Sequence, residues 1–445
     1  MSGFVGFRRV QVLFRVVSIA FAVVLSFFLH TSRLDFPGTI TQTASSSLHR
    51  EAATQRQSQI QLNHAHATSG QTREQLSTAS NLRTKCINGV RQIHNEKLGS
   101  FIKKINLHRT LHDGHLNVLI QPAFHENLGD TLLTNAEQLF FKRQNFSYQM
   151  CLHRASWPER NISHCHTHFG QPKNREARNL AFWHAGGNWG DLWTYPHGLR
   201  MSDIEPLLKN NFTLVTMPQS LFYRSNATRD RHAREMRQSV MKGLGLSELK
   251  PEHMRNIHDR LTFTWRERAS YDIAKELYPF ARNMIVPDIA FQLGEFQPKR
   301  PRKDLLVDIL LFLRRDMESN LEEPLRQNLQ MGITMMIKDG GENKTFQIVD
   351  WDSRKSLFGE KDHFDVPSGI ELLALGKVAI VDRLHAGILS YLSGLHFIYI
   401  DNVYGKLTKT LTTAFEGREE CALWERADNL FDAVQKALVY LEKIS

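Results

Sequence analysis

The sequence lacks a strongly charged folded region, although its formal net charge is +10. Residues 1–30 carry three arginines and no acidic residue, and residues 31–113 carry eleven basic residues against five acidic ones. The remaining 332 residues are therefore close to neutral, with a formal charge of about +1. Because a nucleic-acid-binding domain needs a basic patch or stripe, this distribution argues against nucleic acid as a partner.

A small-residue cleavage site is also missing near the N-terminus. The apolar stretch Val16–Leu29 follows a shorter apolar run that ends before Arg15, and together they are about long enough to span a bilayer. The preceding arginines favour a cytosolic N-terminus by the positive-inside rule. Since Phe27–His30 is bulky where a secretory signal would be cut, we predict a cytosolic tail over 1–15 and a signal anchor over 16–30. A cleaved signal peptide is the alternative, and it leads into the same secretory pathway.

Cysteine is scarce, with four in 445 residues, which limits the chain to one or two disulfides in an oxidising lumen. Pairing of Cys151 with Cys165 closes the shortest loop, but the spacing alone leaves three connectivities open for two bridges. Five N-glycosylation sequons agree weakly with the same compartment. They begin at Asn145, Asn161, Asn211, Asn226 and Asn343.

Large apolar residues are nearly absent from 41–47 and from 55–80, where Ser, Thr, Gln and His dominate. Such a composition cannot bury enough surface to fold, so we predict a flexible stem over 31–113. An amphipathic helix over 91–112 is expected to end it. Anchor, stem and body form the layout of a Golgi enzyme that acts on glycans. We therefore expect a single-pass type II Golgi membrane protein with a lumenal catalytic domain.

From Leu116 onward, short apolar runs alternate with helical patterns. Continuous apolar strands separated by helices indicate parallel sheets that are covered on both faces. The basic, proline-containing stretch 298–302 is suited to link two such sheets. We predict an N-terminal α/β domain over 114–297 and a C-terminal α/β domain over 303–445, with a closing helix near 427–441. No cofactor and no metal are expected.

The most informative segment is Lys377–Leu389, which reads as a buried strand, a polar turn and the start of a helix. Arg383 and His385 fall where the strand ends and the helix begins. That junction is suited to an anion, because free backbone N–H groups and the positive end of the helix dipole face outward there. A cation and a titratable imidazole at this point suggest a phosphorylated or carboxylated ligand and proton transfer. A surface turn with incidental polar residues is the alternative.

Polar clusters also follow other predicted strands, at the edge where ligands bind in open α/β sheets. Each is compatible with a turn or a helix cap, and Asp130 in particular has the setting of a cap. Their repeated placement at one edge is the stronger indication of a site. The clusters are Asn127–Asp130, His184–Asp191, Pro218–Ser220 and Arg266–Ser270.

In order and spacing, these motifs and Arg383-Leu384-His385 resemble the polysaccharide pyruvyl transferases over about Leu116 to Leu411. The resemblance implies a GT-B-like pair of Rossmann-like domains. It also implies transfer of pyruvate from phosphoenolpyruvate, a co-substrate, to a glycan acceptor as a cyclic ketal. One departure is that the family's glycine turn often has a third glycine where His184 or Asn188 stands here.

The resemblance also implies residue roles. Arg266, Arg383, Leu384 and His385 are expected to bind the donor, since two arginines suit its carboxylate and phosphate. His385 is expected to be the general acid and Asp130 the base for the acceptor hydroxyl, unless Asp130 is a helix cap. The residues expected near the acceptor or behind the site are Asn127, Gly129, Gly186, Gly187, Gln219 and Ser270.

Two further motifs and two further functions compete with this interpretation. Asp350-Trp351-Asp352 has the D-x-D spacing of metal-dependent sugar transferases, and the His164–His168 cluster has ligand types that suit zinc. Isolated D-x-D matches are common by chance, and the tightly spaced cluster fits a disulfide loop equally well. A GT-B glycosyltransferase that uses a nucleotide sugar, and an inactive lumenal glycan-binding protein, are the alternative functions.

Overall fold

The computed structural model describes most of the chain after residue 77. The predicted cytosolic tail, the predicted anchor and the first part of the predicted stem lie outside the described residues. Within the described part, no helix is both long enough and apolar enough to cross a membrane. The described ranges are 78–104, 116–123, 127–152, 163–164, 179–296, 306–316, 318–339, 343–351, 353 and 366–444.

The first of two sheets is built from strands whose central residues are almost all apolar and buried, as expected for strands covered on both faces. Its strands run in the order β3-β2-β1-β4-β6-β8-β7-β5, and β9 also pairs with β8. The strands are β1 (Asn117–Ile120), β2 (Gln149–Leu152), β3 (Ser163–His164), β4 (Asn179–Trp183), β5 (Gly186–Gly190), β6 (Phe212–Thr216), β7 (Gln219–Phe222), β8 (Leu261–Trp265) and β9 (Arg282–Ile285).

Two of the helices around this sheet begin at a side-chain cap. The Asn127 side chain accepts the Gly129 N–H, and the Ser225 side chain accepts the Thr228 N–H, so each satisfies a donor of its first helical turn. The helices are α1 (78–104), α2 (Leu128–Arg143), α3 (Thr194–Lys209), α4 (Asn226–Leu244), α5 (Pro251–Arg260) and α6 (Arg268–Leu277), followed by a 3₁₀ helix over Ile289–Leu293.

The second sheet has the order β11-β10-β12-β13-β14, and its paired strands are parallel, like those of the first sheet. The predicted closing helix is the last helix of the chain, and it packs on this sheet. The elements are β10 (Val307–Phe312), α7 (Glu323–Gln327), α8 (Leu329–Asp339), β11 (Phe346–Val349), α9 (Val366–Leu373), β12 (Gly376–Val381), α10 (Leu384–Ser393), β13 (Phe397–Ile400), α11 (Lys406–Ala414), a 3₁₀ turn (Glu419–Cys421), β14 (Trp424–Ala427) and α12 (Leu430–Ile444).

The strand orders determine where ligands can bind. In the first sheet the order reverses between β1 and β4, and in the second it reverses between β10 and β12. In doubly wound sheets, a crevice opens beyond the carboxyl ends of the strands at such a reversal. The predicted α/β class with parallel sheets is therefore confirmed, and each sheet has one switch point.

The predicted stem extends too far along the chain. Residues 78–104 form helix α1, whose Ile87, Val90, Leu98 and Ile102 are buried in the large core shared with both sheets. A disulfide joins Cys86 of this helix to Cys421 in the second sheet's domain. The amphipathic stripe of α1 supplies enough apolar surface to fold, which a composition averaged over the whole segment conceals.

A disulfide that includes Cys86 was not favoured by loop length, which pointed to Cys151 with Cys165. Cys151 is also disulfide-bonded, and position 165 lies outside the described residues. The Cys86–Cys421 bridge spans 335 residues of sequence. Its formation depends on the tertiary contact between α1 and the second domain, so sequence spacing could not reveal it.

Buried histidines predict an acid-sensitive fold. Burial lowers the pKa of His94 to about 4 and the pKa of His197 to about 3, from 6.5. Because the pKa in the folded state lies below the pKa in the unfolded state, the contribution of each neutral histidine to stability is fully present above pH 6.5. That contribution is lost as the pH falls towards the folded-state pKa. Between pH 6.5 and about pH 4, we expect the free energy of unfolding to fall by up to about 1.4 kcal/mol per pH unit for each histidine.

This expectation is measured by urea unfolding of the wild type and of His197→Gln across that pH interval. The variant should show a smaller loss of unfolding free energy per pH unit than the wild type. Equal slopes in the two proteins would contradict the assignment to His197.

Candidate active site

A cleft of about 300 Å³ lies where the two switch points face each other. The first domain is the part of the chain that holds the first sheet, and it contributes residues that follow β1 and β4. The second domain holds the second sheet and contributes residues that follow β10, β11, β12 and β13. Most of the lining side chains are polar or charged. The lining residues include Asn127, Asp130, Gly187, Trp193, Arg314, Glu318, Arg383, His385 and Lys406.

Arg266 lies at the back of this cleft, fully buried at the end of β8. Its Nε donates to Ser220 Oγ at 2.7 Å, and its Nη1 donates to Asp288 Oδ2 at 2.7 Å. Its Nη2 has no hydrogen-bond partner. A buried guanidinium N–H without a partner is costly, so this donor is prepared for a ligand atom.

The predicted residues Gln219 and Ser270 do not line the cleft. They form hydrogen bonds with the residues that surround Arg266. Ser270 Oγ donates to Glu267 at 2.8 Å and accepts the Leu221 N–H at 2.7 Å. Glu267 also accepts from Ser220, the residue that receives Arg266 Nε. Gln219 Nε2 donates to the His184 carbonyl at 2.5 Å and so ties the ends of two strands together. Both residues therefore act on the site from behind.

Asp288 links the two domains at the site, and the sequence motifs did not include it. It is completely buried, accepts the Ala290 N–H at 2.9 Å, and lies 3.6 Å from His385 Nε2. Burial opposes its charge, but Arg266 and His385 reverse that effect and hold the pKa of the Asp288 carboxyl well below its usual range. Asp288 is therefore ionised and shared between an arginine of the first domain and a histidine of the second.

His385 stands in the first turn of α10, with its ring almost completely enclosed. Its Nδ1 packs so closely on Gly129 that a Cβ at that position would lie 2.6 Å away. Only glycine fits this contact without displacing the ring. Burial lowers the pKa of His385, although Asp288 opposes the shift. The imidazole is therefore neutral near pH 7.

Asp130 is not the cap of its helix. Asn127 is the N-cap of α2, and Asp130 lies in the first turn, where its carboxylate accepts from Asn127 Nδ2 at 2.9 Å. Asp130 also lines the cleft. Its carboxylate therefore faces the same space as His385.

Arg383 lines the cleft, but acidic residues already hold its guanidinium. Asp350 accepts from Nε at 2.6 Å and from Nη2 at 2.7 Å, while Asp316 lies 3.5 Å from Nη1. Nη1 carries two N–H groups, and its 3.5 Å contact with Asp316 uses one of them, which leaves the other as a candidate donor to a ligand. Leu384, the next residue, begins α10 and also lines the cleft, so the positive end of that helix faces the cleft as well.

The first aspartate of the D-x-D motif, Asp350, has a structural role, because its carboxylate holds the guanidinium of Arg383. Asp352 and the cluster from Cys165 to His168 lie outside the described residues. Among the residues with described positions, no group of three His, Cys, Asp or Glu side chains is arranged to hold a metal ion.

Lys406 is a second cation that sequence reasoning missed. Its Nζ lies 3.5 Å from the buried Glu318. Glu318 also receives Arg314 Nη1 at 2.5 Å and Trp193 Nε1 at 3.0 Å. Burial disfavours the lysine's charge, but Glu318 outweighs it and raises the pKa of Lys406. Lys406 is therefore a permanent cation in the cleft.

Gly187 lets these cations approach each other. A Cβ on this residue would lie 2.5 Å from Lys406 Nζ and 3.0 Å from Arg266 Nη2. The preceding Gly186 has a φ of +145°, which side-chain-bearing residues rarely adopt. The glycine turn thus brings two buried nitrogens from opposite domains to one point. A ligand oxygen beside that point could receive hydrogen bonds from both.

Most predicted residues therefore meet at one cleft, while Asp288, Lys406, Glu318 and Arg314 were missed. Each of the four follows a strand or a strand-like segment at its carboxyl end, as the predicted residues do. That position was the available indication. Val286-Pro287-Asp288 directly follows β9, and Arg314 follows β10 by two residues.

The chain is similar to known proteins over most of this region. The profile of the polysaccharide pyruvyl transferase family matches residues 127–402, which hold every lining residue named above except Lys406. Pyruvyl transferase 1 of Schizosaccharomyces pombe is 28% identical over 281 residues, which cover 60% of this chain and 61% of that protein. The match thus covers less than two thirds of that relative's length.

Two further proteins are more distant. EpsO of Bacillus subtilis, whose name describes it as a candidate pyruvyl transferase, is 23% identical over 312 residues, which cover 68% of this chain and 86% of that protein. The crystal structure of an uncharacterized protein from Klebsiella pneumoniae is 18% identical and has a TM-score of 0.41 over 74% of this chain and 98% of that one. This structural likeness is too low to carry an argument.

The buried pair of Asp288 and Arg266 predicts a large stability effect. Asp288→Asn keeps the shape but removes the closer of two acidic partners, so that the buried guanidinium depends on Glu267, which lies 3.7 Å from its Nε. Removing one partner of a buried ion pair costs about 3–5 kcal/mol of unfolding free energy. The matched control is Asp308→Asn, which removes a carboxylate from a pair with the exposed Lys377 and should cost less than about 1 kcal/mol. Denaturant unfolding measures both, and equal losses would contradict a special role for Asp288.

Proposed function

The chain belongs to the polysaccharide pyruvyl transferase family, and from this premise we propose that it transfers pyruvate from phosphoenolpyruvate to a glycan as a cyclic ketal. One observation carries the choice of donor. Arg266 Nη2, which is buried and unpaired, and Lys406 Nζ converge on Gly187 at the back of the cleft. Two converging cations in a small enclosed site fit a compact ligand that bears several negative charges.

Phosphoenolpyruvate has two anionic groups, and the cleft offers two sets of donors for them. Arg266 and Lys406 form one set, while Arg383 Nη1 and the N-terminus of α10 form the other. The first set already combines the two domains, because Arg266 follows a strand of the first sheet and Lys406 follows a strand of the second, so a ligand bound there contacts both. Asp350 and Asp288 fix two of the guanidinium groups in advance, which lowers the ordering cost of binding.

His385 is the proposed acid. In the proposed sequence, the imidazolium gives its proton to the methylene carbon of the donor, and the neighbouring carbon becomes an oxocarbenium-like centre. A sugar hydroxyl attacks that centre, the bond to the phosphate oxygen breaks, and a second hydroxyl of the same sugar closes the ketal. The two hydroxyl groups release two protons. One of them replaces the proton that His385 gave to the new methyl group, and the other leaves with phosphate.

A neutral His385 in the protein alone is compatible with this role, because donor binding changes the charges around the ring. Burial lowers the imidazole pKa, but the charges of a bound phosphate and carboxylate act in the opposite direction. The donor would therefore supply the electrostatic conditions that let His385 hold the proton it delivers. Coupling protonation to donor binding keeps the acid inactive in the absence of substrate.

The acceptor is proposed to enter on the side of Asp130. Its carboxylate lines the cleft near His385, as expected for a base that removes a hydroxyl proton. Trp193 and Pro196 line the same wall, and the Trp193 ring reaches across to Glu318. An aromatic and apolar wall beside polar groups suits a pyranose, which has apolar faces and a polar rim.

The compartment is proposed from the sequence. Basic residues before an apolar stretch, the sequons and the cysteines support a single-pass type II Golgi membrane protein whose catalytic part is lumenal. The disulfide between Cys86 and Cys421 supports an oxidising environment for this part of the chain.

The test of the function is incubation of the purified protein with phosphoenolpyruvate and a panel of β-galactoside, mannoside and glucoside acceptors. The expected product carries one pyruvate less one water, and phosphate is released in equal amount. Nucleotide release from a sugar donor, without a reaction of phosphoenolpyruvate, would favour a glycosyltransferase. Glycan binding without any turnover would favour the inactive binding protein.

Lys406 gives the sharpest prediction for donor binding. Lys406→Met should weaken phosphoenolpyruvate binding by about 1.5–3 kcal/mol, the range for a hydrogen bond to a charged group. Calorimetry on the purified protein measures the affinity. The control is Lys377→Met, which removes an exposed lysine from the same domain and should leave the affinity unchanged. Equal affinities for the wild type and Lys406→Met would remove Lys406 from the donor site.

His385 gives a prediction for turnover. His385→Ala should reduce kcat by roughly 10²–10⁴-fold, the usual contribution of a positioned acid. In the wild type, loss of the proton gives an alkaline limb in both kinetic profiles. Since kcat/KM reports the free enzyme and kcat the complex, the limb of kcat should lie at higher pH.

The variant His385→Gln separates acid catalysis from hydrogen bonding. Gln can donate a hydrogen bond to the phosphate but cannot deliver a proton near neutral pH. Near-normal turnover of His385→Gln, with the alkaline limb still present, would rule out the acid role.

A further inference from the structure

Helix α1 lies outside the part of the chain that matches the family, which begins at residue 127. Cys421, its disulfide partner, lies beyond the other end of that match, which stops at residue 402. The family resemblance therefore assigns no role to either. Yet α1 runs along the segment 285–295, which contains Asp288 and leads from the first sheet towards the second domain.

Contacts between the helix and this segment follow one another in antiparallel order. Lys97 Nζ donates to the Ile285 carbonyl at 2.7 Å, and His94 Nε2 lies 2.9 Å from the Pro287 carbonyl. Nearer the start of the helix, Thr84 Oγ1 donates to Glu295 at 2.6 Å. The helix thus fixes the segment before and after Asp288.

His94 is the contact closest to Asp288. A carbonyl can only accept, so Nε2 must carry the proton that it donates to Pro287, and Nδ1 is then free to accept from Gln292 Nε2 at 3.0 Å. The ring is fully buried, and burial lowers its pKa to about 4, so the neutral ring persists near pH 7. Both ring nitrogens are therefore used in holding the segment.

The carbonyl that His94 holds belongs to the residue just before Asp288. Asp288 in turn accepts from Arg266 at 2.7 Å and lies 3.6 Å from His385. A shift of the Pro287 peptide would move the carboxylate relative to both. The path from His94 to the two residues at the back of the cleft is thus a chain of direct contacts.

The disulfide extends this support to the second domain. Cys86 and Cys421 are both buried, and Arg83, one turn earlier, pairs with Glu295 at 2.8 Å. The same arginine packs against Gly394, where α10, the helix that carries His385, ends. Helix α1 therefore contacts both the Asp288 segment and the far end of the His385 helix.

We infer that helix α1 is a part of the catalytic unit that positions Asp288 between Arg266 and His385, with His94 as its positioning residue. This inference rests on the proposed function for its kinetic consequence, but its structural consequence is independent of it. Misplacing a catalytic group by about 1 Å can cost on the order of 10²-fold in rate.

The test compares His94→Leu with His94→Gln in the full chain. Leu removes the hydrogen bond to Pro287, whereas Gln can still donate from its Nε2. Lys104→Ala is the control, because Lys104 lies on the same helix but pairs with the exposed side of Asp259, away from the segment. Hydrogen exchange over 285–295, which includes the Ala290 N–H bonded to Asp288, measures how firmly the segment is held, without any need for activity.

For His94→Leu we expect faster exchange over 285–295 and a loss of about 10- to 100-fold in kcat, at a temperature where the variant remains folded. His94→Gln should recover most of both, and Lys104→Ala should match the wild type. Faster exchange in His94→Leu with unchanged kcat and donor KM would overturn the positioning role, and so would unchanged exchange.

The disulfide provides an independent variant should His94→Leu fail to fold. Cys86→Ser together with Cys421→Ser should also speed exchange over 285–295 and lower kcat in the folded protein. If hydrogen exchange over 285–295 and kcat are unchanged in that double variant, the disulfide does not support the segment. If the wild type does not turn over phosphoenolpyruvate, the proposed function is wrong. The hydrogen-exchange comparison still decides whether α1 positions Asp288.

Discussion

The ion pair between Asp288 and Arg266 is the interaction on which the site depends. Both side chains are completely buried, and each would be strongly destabilised without the other. Their charges are tolerated because Ser220 and the Ala290 N–H satisfy further polar atoms of the pair. The same carboxylate faces His385, so the pair also fixes the distance between the two domains at the back of the cleft. The geometry of the donor site follows from one buried contact.

Sequence reasoning succeeded where the geometry of parallel sheets leaves little choice. Arg266, Arg383 and His385 directly follow buried apolar strands, and the carboxyl ends of such strands meet at one edge. Continuous apolar runs separated by helical patterns also identified both sheets. The position of these residues in one cleft could therefore be predicted from the local pattern alone, without knowledge of which side chains touch.

It failed where pairing depends on tertiary contacts. Asp350 looked like half of a metal motif because its partner, Arg383, is 33 residues away. Lys406 looked like an ordinary helix residue, since only the fold brings it over Gly187. An amphipathic helix was expected only over 91–112 and as the end of the stem, whereas α1 spans 78–104 and belongs to the folded body, because the polar average composition of 31–113 dominated the prediction. Apolar residues spaced three or four apart are what bury it, and that spacing disappears in an average over 83 residues.

The four cations of the cleft each have an acidic partner within it. Arg266 pairs with Asp288, Arg383 with Asp350, Arg314 with Asp316 and Glu318, and Lys406 with Glu318. The cleft is therefore not a reservoir of net positive charge. Selectivity for an anion must come from the N–H groups that these pairs leave directed into the space, in fixed positions and away from water. Such donors need no reorganisation when a ligand arrives, and salt screens buried groups much less than exposed ones. A site of this kind discriminates between anions by how their charges are arranged in space, and not by their total charge.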